Sequence, residues 1–388
     1  MRILHTSDWH LGHTLYNYDR TVEHTAMLNQ MKEIVTEYQP DVFLLCGDVY
    51  HTAQPSAAVQ TLFTNAMVKI HQANPNMVIV ITAGNHDSGS KHEIFRTPWK
   101  ALNVSVIGTI DRDNLDDHII EIPEKGFIVA VPYANGRNIP DGFFTQLLDM
   151  VNERNVDRLP VVLSAHTTVQ GCDFTGHEHS NEYTVGGIDA LKVDDFGENY
   201  DYLALGHIHR EQFVHTGKHN VRYCGTPIPV TFDEHFRHSV SLVEIGNHGE
   251  RPSVTEIEIQ NPHPLVTLPG NGDFVSWDKA QELLREFDED IAAYIRLNVE
   301  VEDFLPVEAH AVANKLTVNK KCRFCYINAR RPVSKKREEN VLSIQELQSE
   351  KPIDIAKRFA DDSGRPFDAE MMDVFNQVLQ SLQEDATK

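Results

Sequence analysis

The chain has 388 residues, 41% hydrophobic and 24% charged, with 57 acidic against 35 basic side chains and a formal net charge of -22. That is a globular balance, long enough for a large core plus one smaller unit, and an acidic chain repels nucleic acid on average, so such a partner has to meet a local basic patch or metal ions. The five cysteines are an odd, scattered set that excludes a disulfide framework; with a first segment that turns polar too early for a signal peptide, and no apolar stretch of membrane-spanning length, a cytoplasmic protein is expected.

A first strand covers Arg2 to Ser7 and ends in the loop Asp8-Trp9-His10. From Arg20 to Tyr38, Met27, Leu28, Met31, Ile34, Val35 and Tyr38 recur at helical spacing, and Pro40 stops the helix. Val42 to Gly47 reads as a strand buried on both faces, broken by Gly47-Asp48. Pro55-Ser56 opens a second helix with Val59, Leu62, Phe63, Ala66, Met67 and Ile70 on one face. Met77 to Thr82 is a further strand, ending in Ala83-Gly84-Asn85-His86-Asp87. This strand–helix alternation places helices on both faces of a sheet. Strands follow over Val104–Ile107, His118–Ile122 and Phe127–Val131, a helix over Ile139–Val156, and a strand from Pro160 to Ala165 that ends at His166. Residues 170–187 read as a loop, with His177 and His179 in it as surface residues. Asp201 to Leu205 is a strand ending in Gly206-His207-Ile208-His209, and Val240–Ile245 and Val254–Ile259 close the sheet.

The first unit is expected to span 1–260. A small α+β unit over 261–338 follows the Pro- and Gly-rich punctuation at 261–272: a helix capped by Ser276, a strand Tyr294–Val301, a helix from Pro306 and a strand Cys322–Ala329. Cys322-x-x-Cys325 is read as ordinary strand sequence, since a closed zinc site needs four ligands. Residues 339–388 form a linker and helical tail. The second tail helix starts at Asp368, with Phe367 and Met372 spaced for a hydrophobic staple.

Five strand ends therefore finish in Asp8-x-His10, Gly47-Asp48, Gly84-Asn85-His86-Asp87, His166 and Gly206-His207-x-His209. Each alone reads as a cap, a turn or a core imidazole. Together, at the ends of apolar strands of one sheet, their carboxylates, imidazoles and amide suit divalent ions such as manganese, iron or zinc, and the absence of a thiolate argues against structural zinc.

In order and spacing these blocks resemble the calcineurin-like metallophosphoesterases. The stretches from Thr6 to Gly12, Gly47 to His51, Asp201 to His209 and Arg222 to Glu234 are similar to its SbcD branch of bacterial nuclease subunits. The resemblance implies an α/β fold: a β-sandwich of two mixed sheets flanked by helices, a small α+β capping domain and a C-terminal helical tail. It implies two divalent ions, Mn2+ above others, bridged by Asp48, one held by Asp8, His10 and His209, the other by Asn85, His166 and His207. His86 would then be catalytic, Asp87 would orient it, and His51, where some relatives carry Asp, would be a second imidazole near the substrate.

The function so implied is a two-metal DNA nuclease, a 3′–5′ exonuclease on double strands and an endonuclease on single strands and hairpins, acting in recombination and break repair. Its partners would be DNA, an SbcC-type ATPase docked on the tail helices, and a second copy of the chain, with the 20–38 and 55–70 helices as candidate dimer contacts. From Lys315 to Arg337 there are nine Lys or Arg and no acidic residue; this is either a solvated face or a grip on a phosphate backbone. Another phosphoesterase, acting on phosphoprotein or cyclic nucleotides, is the alternative, but it needs no cap, basic stretch or tail. A catalytically dead scaffold is disfavoured because every candidate ligand is present.

Overall fold

The computed structural model describes residues 1–133, 139–176, 190–214 and 220–331, together with Ile353, Lys357, Met371, Met372 and Phe375. His177, His179, the linker and the tail helices lie outside the described residues apart from those five positions. The chain divides into two compact units, Met1–Arg330 and Arg331–Lys388.

The first unit opens with β1 (Arg2–Thr6), a hairpin of β2 (Thr14–Leu15) and β3 (Tyr18–Asp19), and α1 (Thr21–Tyr38). Next come β4 (Val42–Cys46), α2 (Ala57–Ala73), β5 (Val78–Thr82), α3 (Gly89–Trp99) and β6 (Val104–Ile107). Then follow β7 (Ile119–Ile122), β8 (Gly126–Ala130), α4 (Phe143–Arg154), β9 (Val161–His166), β10 (Tyr202–Gly206), β11 (Gln212–Phe213), β12 (Val221–Tyr223), β13 (Ser239–Glu244) and β14 (Ser253–Glu258). One six-stranded sheet has the order β14-β13-β1-β4-β5-β6, the other β11-β12-β10-β9-β8-β7. Each is parallel at its centre and antiparallel towards an edge, as with β1 beside β4 but against β13.

The two sheets stack, and strand alternation shows how. Val42, Leu44 and Cys46 of β4 join Val162, Tyr202 and Ala204 between the sheets. Phe43 and Leu45 point the other way, onto Met27, Met31, Phe63 and Met67 of α1 and α2. Leu163, Leu203 and Leu205 on the outer face of the second sheet pack on Leu147, Leu148 and Val151 of α4. The layers are thus helix, sheet, sheet, helix, with β4 buried along its whole length.

Beyond β14, β15 (Leu265–Leu268), α5 (Trp277–Glu286), β16 (Tyr294–Glu300), α6 (Ala309–Thr317) and β17 (Arg323–Arg330) form a three-stranded sheet. It is parallel throughout, so each helix serves as a crossover. Its core gathers Ala280, Leu284, Ile295, Leu297, Ala313 and Phe324. Ser276 caps α5 through the Lys279 amide. Tyr294 leaves that core to pack with Leu15 and Phe232, and its hydroxyl donates to the buried Glu23 of α1 at 2.7 Å.

Three differences from the sequence reading are instructive. Helix α3 buries only His92 and Trp99 and carries Pro98 inside it, so it has almost no apolar stripe to read. α4 starts at Phe143 rather than Ile139, because Gly142 enters the helix from a left-handed conformation. β15 lies inside what reads as punctuation between two proline-rich turns. No helix among the described residues is long and apolar enough to cross a membrane.

Candidate metal centre

The five strand ends meet. β1, β4 and β5 of the first sheet and β9 and β10 of the second deliver their carboxyl ends to the same end of the sandwich, where parallel sheets place ligands. The backbone there is forced. Asp8, His10, Asp48 and His207 all have positive φ, at 54°, 45°, 50° and 97°, a conformation that costs non-glycine residues energy and clusters at functional sites. The Asp8 amide donates to the Gly47 carbonyl and that of His10 to the Asp48 carbonyl, both at 3.0 Å, which locks the first two loops together. Two glycines make the packing possible. A Cβ on Gly47 would lie 2.2 Å from His166 Nδ1, and one on Gly84 would lie 2.0 Å from Asp48 Oδ1.

Asp48 sits at the middle. Its Oδ2 is 3.8 Å from His10 Nε2 and 3.5 Å from His166 Nε2, while Oδ1 accepts from the His86 amide at 2.9 Å. On one flank, His10 Nε2 and His209 Nε2 are 3.1 Å apart, and Asp8 joins them within ligand range. On the other, Asn85 Oδ1 is 3.0 Å from His166 Nε2 and 2.9 Å from His207 Nδ1. Asp8, Asp48 and His166 also fall within 4.8 Å of one another. His207 donates its backbone N–H to both oxygens of Asp8 at 3.1 Å, tying the flanks together.

The electrostatics fit divalent cations. Burial pushes the Asp8 carboxyl up, with Asp48 adding to it, against the pull of His166 and His209. Burial works to lower His166, but Asp48 and Asp8 outweigh it and raise it to about 9. Burial and the neighbouring His209 and His86 press His10 well below its usual value. Two carboxylates and converging imidazole nitrogens, out of water, are costly without positive charge between them. This is the donor set that intermediate divalent ions take.

Around this core stand further histidines. The His86 ring lies 4.8 Å from that of His10 and stacks 5.5 Å from that of His51. The His51 ring is in turn 4.6 Å from His13. The expected orienting role of Asp87 is corrected by the geometry. Its carboxylate accepts from the amides of Val49, Tyr50 and Gly84 at 2.9–3.1 Å and faces His92 Nε2 at 3.5 Å. It therefore holds the loops of β4 and β5 together, and His86 Nδ1 meets the His51 carbonyl at 2.9 Å instead. Glu234 closes the last stretch that resembles the SbcD branch, with no task implied for it. It is buried, and its Oε1 accepts from His209 Nδ1 at 3.0 Å. A carboxylate spaced along the chain from its histidine leaves no local pattern to find it by.

With this geometry in view, comparison with known proteins is informative. The model of the calcineurin-like phosphoesterase family matches residues 1–211. A relative from Rhodobacter capsulatus, the SbcD component of the SbcCD nuclease, is 33% identical over 300 residues, covering 70% of this chain and 72% of its own length. Relatives of the same name from Escherichia coli K12 and Bacillus subtilis are 30% and 28% identical over 326 and 333 residues. The first match covers 79% of each chain, the second 79% of this chain and 81% of the relative.

Proposed function

We propose, from the premise that this chain belongs to the calcineurin-like phosphoesterase family and to its SbcD nuclease subunits, that it cuts DNA at the centre around Asp48. Membership makes it a metal-dependent hydrolase of the nuclease class. The finer reading is a 3′–5′ exonuclease on double-stranded ends and an endonuclease on single strands and hairpins, in recombination and break repair. The observation that carries metal-dependent cleavage is the placing of one carboxylate oxygen, Asp48 Oδ2, between His10 and His166; the polarity and the hairpin substrate come from the family resemblance.

Divalent metal ions go with the family, and we take Mn2+ as the native one. Asp8, His10 and His209 would hold one ion, Asn85, His166 and His207 the other, with Asp48 between. When bound, two such ions supply a strong nucleophile at neutral pH and neutralise charge on the scissile phosphate. His86 stands beside this centre with Nδ1 fixed by the His51 carbonyl. Its ring is placed to meet charge on the phosphoryl group or to give a proton to the leaving sugar oxygen. His51, stacked on His86, supports that ring from behind. Asp87 acts by holding the two loops rather than by touching His86.

For partners we propose DNA, an SbcC-type ATPase bound by the C-terminal helices, and a homodimer within a heterotetramer, in the cytoplasm. Of the helices considered for the dimer, α2 has the better surroundings. Beside it α3 exposes Ile94 and Phe95 around an apolar cavity of about 220 Å³ that reaches Phe63 and Trp99. Part of the basic stretch serves its own fold. Lys320 donates to the carbonyls of Leu284, Arg285 and Phe287 at the end of α5, Lys321 pairs with Asp290, and Arg330 sits near Glu300. A DNA contact there rests on the remaining members, the exposed Lys315 among them.

The deciding experiment incubates the purified full chain with Mn2+ on hairpin DNA and on a phosphopeptide. Cleavage of DNA is expected, and release of phosphate from the peptide alone would overturn the reading. Deleting residues 351–388 should abolish capture of the ATPase and leave the metal content unchanged.

A further inference from the structure

The turn Thr231-Phe232-Asp233-Glu234 faces two ways. Glu234, buried, takes the Nδ1–H of His209 on Oε1 at 3.0 Å and the amides of Thr231 and Val230 on Oε1 and Oε2 at 3.1 Å. Its neighbour Asp233 accepts from Arg296 Nη1 at 2.6 Å. Arg296 is in β16 of the small α+β sheet and is itself buried. Its Nε donates to Thr267 of β15 at 3.0 Å and Nη1 also reaches Tyr326 of β17 at 3.3 Å. Nη2 lies 3.3 Å from His235, and the guanidinium covers the Phe232 ring at 5.4 Å. One arginine thus joins all three strands of the small sheet to the turn whose next residue aims His209.

We infer that Arg296 is a positioning residue for the first metal position. It seats Asp233, the seat fixes the turn, and Glu234 in that turn sets the ring orientation of His209. The small sheet is then a working part of the metal centre. A shift of that sheet relative to the sandwich would reach His209 through a salt bridge and one peptide unit. At the second position, by contrast, His166 Nδ1 donates to the Cys46 carbonyl of β4 at 2.7 Å. Carboxylates behind metal-binding histidines fix tautomer and orientation, and removing such a partner costs roughly 10–100-fold in metal affinity. Because Arg296 acts through the turn, its loss should cost less than the loss of Glu234.

This rests on the metal assignment above, and the test separates the two. Metal-free full-length chain is titrated with Mn2+, and free Mn2+ is followed by electron paramagnetic resonance. Wild type should show two sites. Arg296→Met should weaken one of them several-fold and leave the other in place, and Glu234→Gln should weaken the same one by roughly tenfold or more. Arg296→Lys, which keeps a charge for Asp233, should recover most of the loss. Adding Arg296→Met to Glu234→Gln should cost nothing further. If Arg296→Met proves unfolded, Asp233→Asn removes only the pair and carries the same expectation. Two unchanged sites in both variants, or equal weakening of both sites, would overturn the inference. His209→Ala is the reference: should it also leave both sites intact, the metal assignment itself fails.

Discussion

His166 and His209 stand on opposite flanks of Asp48, and what holds each of them differs. His166 gives its Nδ1–H to a main-chain carbonyl of β4, a strand with no exposed residue. His209 gives its Nδ1–H to a side chain, Glu234, in a turn that reaches the small sheet through Asp233 and Arg296. The lesson is that one flank is as rigid as the sandwich core, whereas the other is only as rigid as a loop and an ion pair. A carbonyl in a buried strand cannot swing away, but a carboxylate on a turn can.

The largest effects should come from the residues both flanks share. Asp48→Ala is expected to empty both positions and lower DNA cleavage by roughly 10³-fold or more, since under the proposed assignment both ions would be held by this carboxylate. Gly84→Ala should do nearly the same without touching a ligand, because its new Cβ would meet Asp48 Oδ1 at 2.0 Å and the Asp48 amide nitrogen at 2.3 Å. Metal content and hairpin cleavage measured together check both, and a Gly84→Ala protein with two ions would show that the loops yield more than the packing suggests. Next in size is His86→Ser. It should cost about 10²–10⁴ in rate, the range of a general acid, while both ions stay bound. Loss of an ion instead would make His86 a ligand and join it to the first flank.

How much of this was legible in the sequence follows the same division. The strand ends were readable because each is an apolar run stopped by a polar block, and burial demands the run. β4 is the clearest case, with Val42 to Cys46 all buried. The ligand sets came from the family resemblance, and the structure brings the residues named in them to one end of the sandwich. What escaped was the support. The Asp87 side chain looked like a partner for its neighbour His86, but φ at Asp48 is +50°, and that bend turns the Val49 and Tyr50 amides towards Asp87. Periodicity carries no sign of such a bend. Glu234 and Arg296 are invisible for another reason. The pairs His209–Glu234 and Arg296–Asp233 join segments with no fixed spacing to recognise, and an arginine in the middle of β16 reads as the exposed face of a strand, although it is buried. α3 was missed because so little of it faces the core.

The smallest expected effect is in the pH dependence of stability, and here His166 and two histidines of the scaffold should differ in sign. Burial holds His5, between the two sheets, at about 3 and His24, on α1, at about 4, with Arg222 and Arg20 respectively adding to the effect. Both stay neutral in the folded chain while the unfolded chain takes up protons below about 6.5, so stability is lost as pH falls through that value. By pH 5 the loss is about 2 kcal/mol for each. His166 runs the other way. Burial opposes its charge, but Asp48 and Asp8 raise it to about 9. Its contribution is therefore complete below about 6.5 and fades as pH rises to 9, by about 3 kcal/mol at most. Metal-free protein should thus melt highest near neutral pH and lose a few degrees on either side. Divalent metal should abolish the alkaline loss, because His166 binds it unprotonated, while the acid loss from His5 and His24 remains. Thermal melts from pH 5 to 9 with and without Mn2+ decide it: an alkaline loss that persists with metal bound would remove His166 from the metal centre, and with it the rigid flank against which the other is compared.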